Sequence, residues 1–167
     1  GTVVEPGLLQ HHNNNYLATA FYHENRAGIA YVDISTGEFA VTEISNKDIQ
    51  NQIRSEIFRL QPSEILWPES LPHPENLPGF LTMYESWHYD LGRCSENLKD
   101  HFGVATLDGF GLRGKSMAVR TAGAILAYLE DTQRQSLKLL TQLGTYTLDD
   151  FMVLDAETRR NLELTET

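Results

Sequence analysis

The stretch GFGLRGKS (109–116) sets Gly109, Gly114, Lys115 and Ser116 at the spacing of the phosphate-cradling pattern G-x-x-x-x-G-K-[ST]. In that chemistry backbone N–H groups wrap the phosphates, the lysine reaches the terminal ones and the serine hydroxyl binds magnesium. A helix start follows at Ser116, and FMVLD (151–155) imitates the apolar strand ending in aspartate that would hold the metal. Such a loop must leave a buried strand, and only VATL (104–107), after a helix stop, is available. The competing reading is a Gly-rich turn between two helices, so a small nucleotide-binding module stands as one alternative function.

A metal-dependent nuclease is the other alternative. Two-metal nucleases of the RNase H type hold their ions with three or four carboxylates, one in the middle of the first strand. The first strand here, YLATAFYHE (16–24), offers no carboxylate before Glu24; Asp33 and Glu38 flank the next turn. His11 and His12 are adjacent and diverge in an extended chain, while His23, His73, His88 and His101 lack ligand spacing. Cys94 is the only cysteine, which excludes an internal disulfide and any Cys-pair zinc site. It lies on an apolar helix stripe and is expected to be a buried thiol. Trp67 and Trp87 are expected in the core. No Ser/His/Asp or Cys/His arrangement can be assembled, so no enzymatic site is expected, and no cofactor or metal.

The elements that must carry these residues can be read from periodicity. YLATAFYHE, GIAYVDI (28–34) and EFAVTEI (38–44), joined by short turns, predict a three-strand antiparallel meander. Ser45 with Asp48 reads as a capping-box-like start, and Ile49, Ile53, Ile57 and Leu60 stripe the helix that follows. EILW (64–67) is a short strand, 68–79 a loop with four prolines, and FLTMYES (80–86) another strand. Leu91, Cys94, Leu98 and Phe102 mark a helix that Gly103 is placed to end. Ser116 opens the longest helix, with Ala122, Ile125, Leu126 and Leu129 inward, and a polar linker runs around Gly144. Asp155 and Glu157 begin a last helix with no stop signal. The order predicts an α/β fold: an RNase H-like mixed sheet flanked by helices, with a C-terminal helical extension.

At 167 residues, 41% hydrophobic and 22% charged, the chain can bury one sizeable core. Nothing resembles a signal peptide or a membrane span, and a cytoplasmic setting is expected. Gly1 in place of methionine points to a fragment boundary or a cleaved tag. The net charge of −10 is uneven, with four basic against twelve acidic residues over 1–92 and nine against eleven over 93–167. So acidic a front half repels phosphates, which makes the chain alone a poor DNA binder.

Taken in order, GTVVEPGLL (1–9), NNYLATAFY (14–22), GIAYVDISTGEFAVTEI (28–44) and RLQPSEIL (59–66) resemble the connector region of the MutS family of bacterial DNA mismatch-repair ATPases. HFGVATLDGFGL (101–112) and AGAILAYLEDTQ (122–133) are similar to the later connector, and FMVLDAETRRNLEL (151–164) to the opening of the lever domain. The stretch 67–100 matches weakly. The resemblance implies a connector domain over 1–134 and a linker with the start of the lever over 135–167. It implies a non-catalytic RNase H-like domain that couples the mismatch reader to the clamp and docks the partner ATPase MutL. The docking helix maps to Glu96 and Asn97, where Glu96 departs from the neutral polar pair that relatives can carry. ATP, magnesium and contact with mismatched DNA, through a full-length homodimer, would belong to other domains of the chain. In relatives GKS is not part of the pattern after GFG.

Overall fold

A computed structural model describes residues 15–148. Strand β1 (Tyr16–His23) pairs antiparallel with β2 (Arg26–Asp33) from Tyr16↔Asp33 to His23↔Arg26. Strand β2 pairs in the same sense with β3 (Glu38–Ser45), from Arg26↔Ser45 to Asp33↔Glu38. Aromatic and β-branched residues fit a pleated surface that is buried on both sides, which is why so many positions of β2 are apolar and buried.

Helix α1 (Ile49–Leu60) lays Ile49, Ile53, Ile57 and Leu60 on one face of the sheet, against Ala18, Ala20, Ala27, Ile29, Ile65 and Trp67. It ends at Gln61, which adopts the left-handed region at φ 47° immediately before Pro62. Strand β4 (Glu64–Pro68) then runs parallel to β1, and the Pro-rich loop returns the chain to β5 (Phe80–Tyr84), parallel to β4. With a short last strand β6 (Gly144–Thr145), the sheet order is β5-β4-β1-β2-β3-β6, a meander extended by parallel crossover strands, as expected of the RNase H-like organisation.

The opposite face is covered by α2 (Leu91–Phe102) and α3 (Ser116–Thr132), around Ala30, Val32, Val41, Leu66 and Ile125. Asp90 caps α2 by accepting the Arg93 amide at 3.0 Å, and Gly103 ends it at φ 66°. Two glycines allow this layer to close. A Cβ at Gly28 would lie 2.1 Å from the Met117 carbonyl oxygen, and one at Gly123 would lie 2.3 Å from Cys94 Cβ. Fully burying side chains such as Trp67, Ile53 and Leu98 contributes about 1.5–3 kcal/mol each.

Three local readings are corrected. Ser45 still belongs to β3, and Asp48 at the start of α1 makes no side-chain cap; Asn46 instead accepts the Asp48 amide at 2.7 Å. Trp87 is not in the core but 51% exposed. A single 3-10 turn (Ser86–Tyr89) follows β5, and its inward positions go to His88 and Tyr89. The stretch after α3 is not a linker: a 3-10 segment (Arg134–Leu139) leads to β6 (Gly144–Thr145), which pairs parallel with Ala40 and Val41 of β3. Its apolar residues explain this, since Leu140, Leu143 and Leu148 are buried. His11, His12 and the expected helix from Asp155 lie outside the described residues.

Candidate functional site

The middle of β1 is the position where a two-metal nuclease would hold its first carboxylate. Thr19 stands there, fully buried, donating to the Leu66 carbonyl at 2.9 Å and sharing a 2.7 Å hydrogen bond with the Tyr89 hydroxyl. Tyr89 stacks on Phe21 at 5.4 Å, so the hydroxyl pair sits in an apolar setting. The carboxylates of the next turn are engaged locally. Asp33 accepts the Ser35 amide and hydroxyl, and Glu38 accepts from the Tyr16 and Tyr31 hydroxyls at 3.0 Å each. Glu24 and His23 are exposed at the β1–β2 turn. Among the described residues, no group of three or more His, Cys, Asp or Glu side chains could hold a metal ion.

The Gly-rich segment leads from α2 to α3 without a preceding strand. Gly109 falls in a 3-10 turn (Asp108–Phe110), Gly114 adopts φ 74°, and Lys115 immediately precedes α3, which Ser116 opens. The VATL residues form loop, because Gly103 has already turned the chain out of α2. Gly114, Lys115 and Ser116 line an open hollow of about 610 Å³ together with Leu91, Lys99 and Arg113. Gly109 is not among its lining residues. At the start of α3 the Ala118 amide donates to the Glu43 carboxylate at 3.0 Å. That carboxylate, 3.6 Å from Arg26, takes the place an anionic ligand would occupy at a helix N-terminus.

Helix α2 presents Glu96 and Asn97 on its outer side while Cys94 and Leu98 anchor the inner one. Glu96 is exposed and pairs with Lys99 at 2.9 Å. Asn97 is half-buried, at the edge of a hollow of about 260 Å³ that Asp100, His101, Leu126, Ala127, Glu130 and Leu137 also line. His101 Nε2 is 2.7 Å from the Leu140 carbonyl, tying α2 to the segment after α3. The packing of Leu137 and Leu140 is a long-range feature with no local sequence signal.

Perturbed groups sit behind this surface. Burial pushes the Cys94 thiol up to about 12, and the thiol donates to the carbonyls of His88 at 3.1 Å and Arg120 at 3.2 Å. That is the chemistry of an inert structural thiol, as its stripe position led one to expect. Burial lowers His88, with Glu85 at 3.7 Å only partly opposing it. Its ring stacks between Tyr84 at 3.9 Å and Trp87 at 3.7 Å, and Arg93 lies 4.9 Å over the Trp87 ring. Desolvation in this stack outweighs the exposed carboxylate, so His88 is neutral at pH 7 and its contact with Glu85 is not an ion pair.

Residues 15–141 match the model of the family described as MutS domain II. Proteins named DNA mismatch repair protein MutS are similar along the chain. The one from Trichodesmium erythraeum is 39% identical over 100% of this chain and 20% of its own length. Those from Dehalococcoides mccartyi and Lachnoclostridium phytofermentans are each 40% identical, over 98% and 100% of this chain and 19% and 18% of their own. The chain spans about a fifth of the length of these curated relatives. Fold, family match and relatives agree with the resemblance carried by the sequence motifs: the chain belongs to the MutS domain II family.

Proposed function

We propose that this chain is the connector part of a longer mismatch-repair protein, a non-catalytic domain that continues through β6, past the boundary at 134 expected from the sequence, with the start of the lever beyond it. It couples a mismatch-reading domain to ATPase and clamp domains in the cytoplasm and offers the outer face of α2 to MutL. ATP, magnesium and DNA are handled by other parts of the full-length protein, as a homodimer.

The observation that carries this reading is the construction of α2. Its inner face is fixed against α3 by the close approach of Gly123 to Cys94, while Glu96 is exposed and Asn97 half-buried beside it. A helix held this firmly is suited to transmit a displacement and to present side chains without prior ordering, which lowers the cost of association. The buried hydroxyl pair at Thr19 and the locally engaged carboxylates support a domain without nuclease chemistry. Glu96→Arg with Asn97→Ala is expected to weaken MutL binding, measured by calorimetry, with circular dichroism unchanged. Undiminished affinity in a folded variant would remove Glu96 and Asn97 as the docking site.

The nucleotide-binding reading through Gly109, Gly114, Lys115 and Ser116 has one observation in its favour, the hollow at Lys115. Glu43 at the helix start opposes it.

A further inference from the structure

Helices α2 and α3 run side by side in the same direction. Cys94, in the first turn of α2, meets Gly123, midway along α3, and Asn97, Asp100 and His101 share a hollow with Leu126, Ala127 and Glu130 further along. Their C-terminal ends therefore lie together, and the half-buried Leu137 of the following segment also lines the hollow. Its lining combines the apolar Leu126, Ala127 and Leu137 with the carboxylates of Asp100 and Glu130, the Asn97 amide and the His101 ring.

The placement of these acids is unfavourable for the isolated chain. Carbonyl groups at a helix C-terminus carry partial negative charge, so carboxylates in the last turn are opposed by their own helix, and here two helices add. Helix α3 has no basic residue in its last turn to compensate. The basic groups nearby are already engaged: in the last turn of α2 Lys99 pairs with Glu96 and the His101 ring meets the Leu140 carbonyl at 2.7 Å, while the Arg134–Glu130 pair at 3.2 Å is exposed on both sides and screened by water. Asp100 has no ion pair among the described residues. An external cation would relieve this arrangement.

We infer that the hollow between the C-terminal ends of α2 and α3 receives an arginine side chain of the protein that docks on α2, an inference that rests on the docking reading above. A guanidinium has a planar, weakly hydrated face that can lie on Leu126, Ala127 and Leu137. Its N–H donors fork toward carboxylates and the Asn97 amide oxygen, which a point-charge ammonium matches less well.

The test compares MutL binding to the 167-residue chain and to its Asp100→Asn/Glu130→Gln variant, at low and at physiological salt. The substitutions keep shape and remove charge only. The variant is expected to bind about tenfold more weakly at low salt and to lose most of its salt dependence. Its melting temperature should hold or rise, because two acids leave helix C-termini. Equal affinity and equal salt dependence for the two chains, with Glu96→Arg/Asn97→Ala still weakening binding, would overturn the arginine pocket and leave the docking site standing. No binding by the unaltered chain would sink both. Should the double variant melt early, Asp100→Asn alone, at an exposed position, is judged by the same two affinities.

Discussion

The Glu43 carboxylate of β3 accepts the Ala118 amide of α3 at 3.0 Å, so the longest helix is capped from the sheet and not by its own preceding residue. A carboxylate at this point satisfies a donor that α3 would otherwise leave open and complements its dipole. Glu43→Ala should lower the unfolding free energy in urea by about 1–2 kcal/mol, and Glu43→Gln by less. Because the anion site is already filled, millimolar Mg-ATP should leave the melting temperature of the unaltered chain unchanged. A shift abolished by Lys115→Ala would instead restore the nucleotide reading.

Cys94 makes a second case for a closed α2–α3 seam. Its thiol is fully buried, raised to about 12 by desolvation, and donates to two backbone carbonyls. At pH 8 an aromatic disulfide reagent should modify it only as fast as the chain opens. Modification should become immediate in denaturant. Gly123→Ala, which must displace Cys94 or separate the helices, should cost about 1–3 kcal/mol and speed that modification. Fast labelling of the unaltered, folded chain would show the seam to be open.

Legibility in the sequence followed the range of the interactions. The meander, the Ile49–Ile53–Ile57–Leu60 stripe and the Gly103 stop depend on period and local turn chemistry, and all three stand as read. The Ser45 cap, Trp87 and the stretch around Gly144 were misread because partners distant in sequence decide them. Tyr89 takes the core position through Thr19, Trp87 is left outside with Arg93, and β6 finds β3 across roughly a hundred residues. Glu96 and Asn97, the proposed docking pair, rest on family resemblance and not on any pattern in the residues themselves. The hollow beside them required α3 and Leu137 to be in place, and no periodicity signals that juxtaposition.

His88 gives the fold a defined acid sensitivity. Its pKa is lowered, first by burial and then by Arg93, with Glu85 and Asp131 opposing. A histidine in the unfolded chain titrates near about 6.5. Between that value and the lower folded one, the unfolded chain binds more protons than the folded chain, so stability rises with pH there and is lost as pH falls. The slope from this one group is at most about 1.4 kcal/mol per pH unit. Chemical denaturation of the unaltered chain should therefore show its midpoint falling below about pH 6.5. In His88→Gln that fall should flatten, at some cost in stacking at neutral pH. Parallel pH profiles for the two chains would remove His88 as the cause.

Tyr146 and Glu56 decide whether the end of the described chain is part of the same folded unit. The Tyr146 hydroxyl donates to Glu56 at 2.6 Å, and Arg59 reaches the same carboxylate at 2.6 Å and 2.9 Å. Glu56 is only 3% exposed, whereas the Arg59 side chain is 40% exposed, so solvent screens the ion pair more than the hydroxyl bond. Burial and the adjacent carboxylate both raise the Tyr146 phenol, keeping it a donor through the accessible pH range. A hydrogen bond to a buried charge is worth about 1.5–3 kcal/mol, so Tyr146→Phe should cost an amount in that range. The loss should be local first: the Tyr146 amide, bonded to the Val41 carbonyl at 3.1 Å, should exchange with deuterium sooner, as should the amides of β6. Strands β1 and β2 should stay protected. If exchange rose equally across the whole sheet, β6 would open only with the global unfolding of the domain, and Tyr146 would be a core residue instead of a latch.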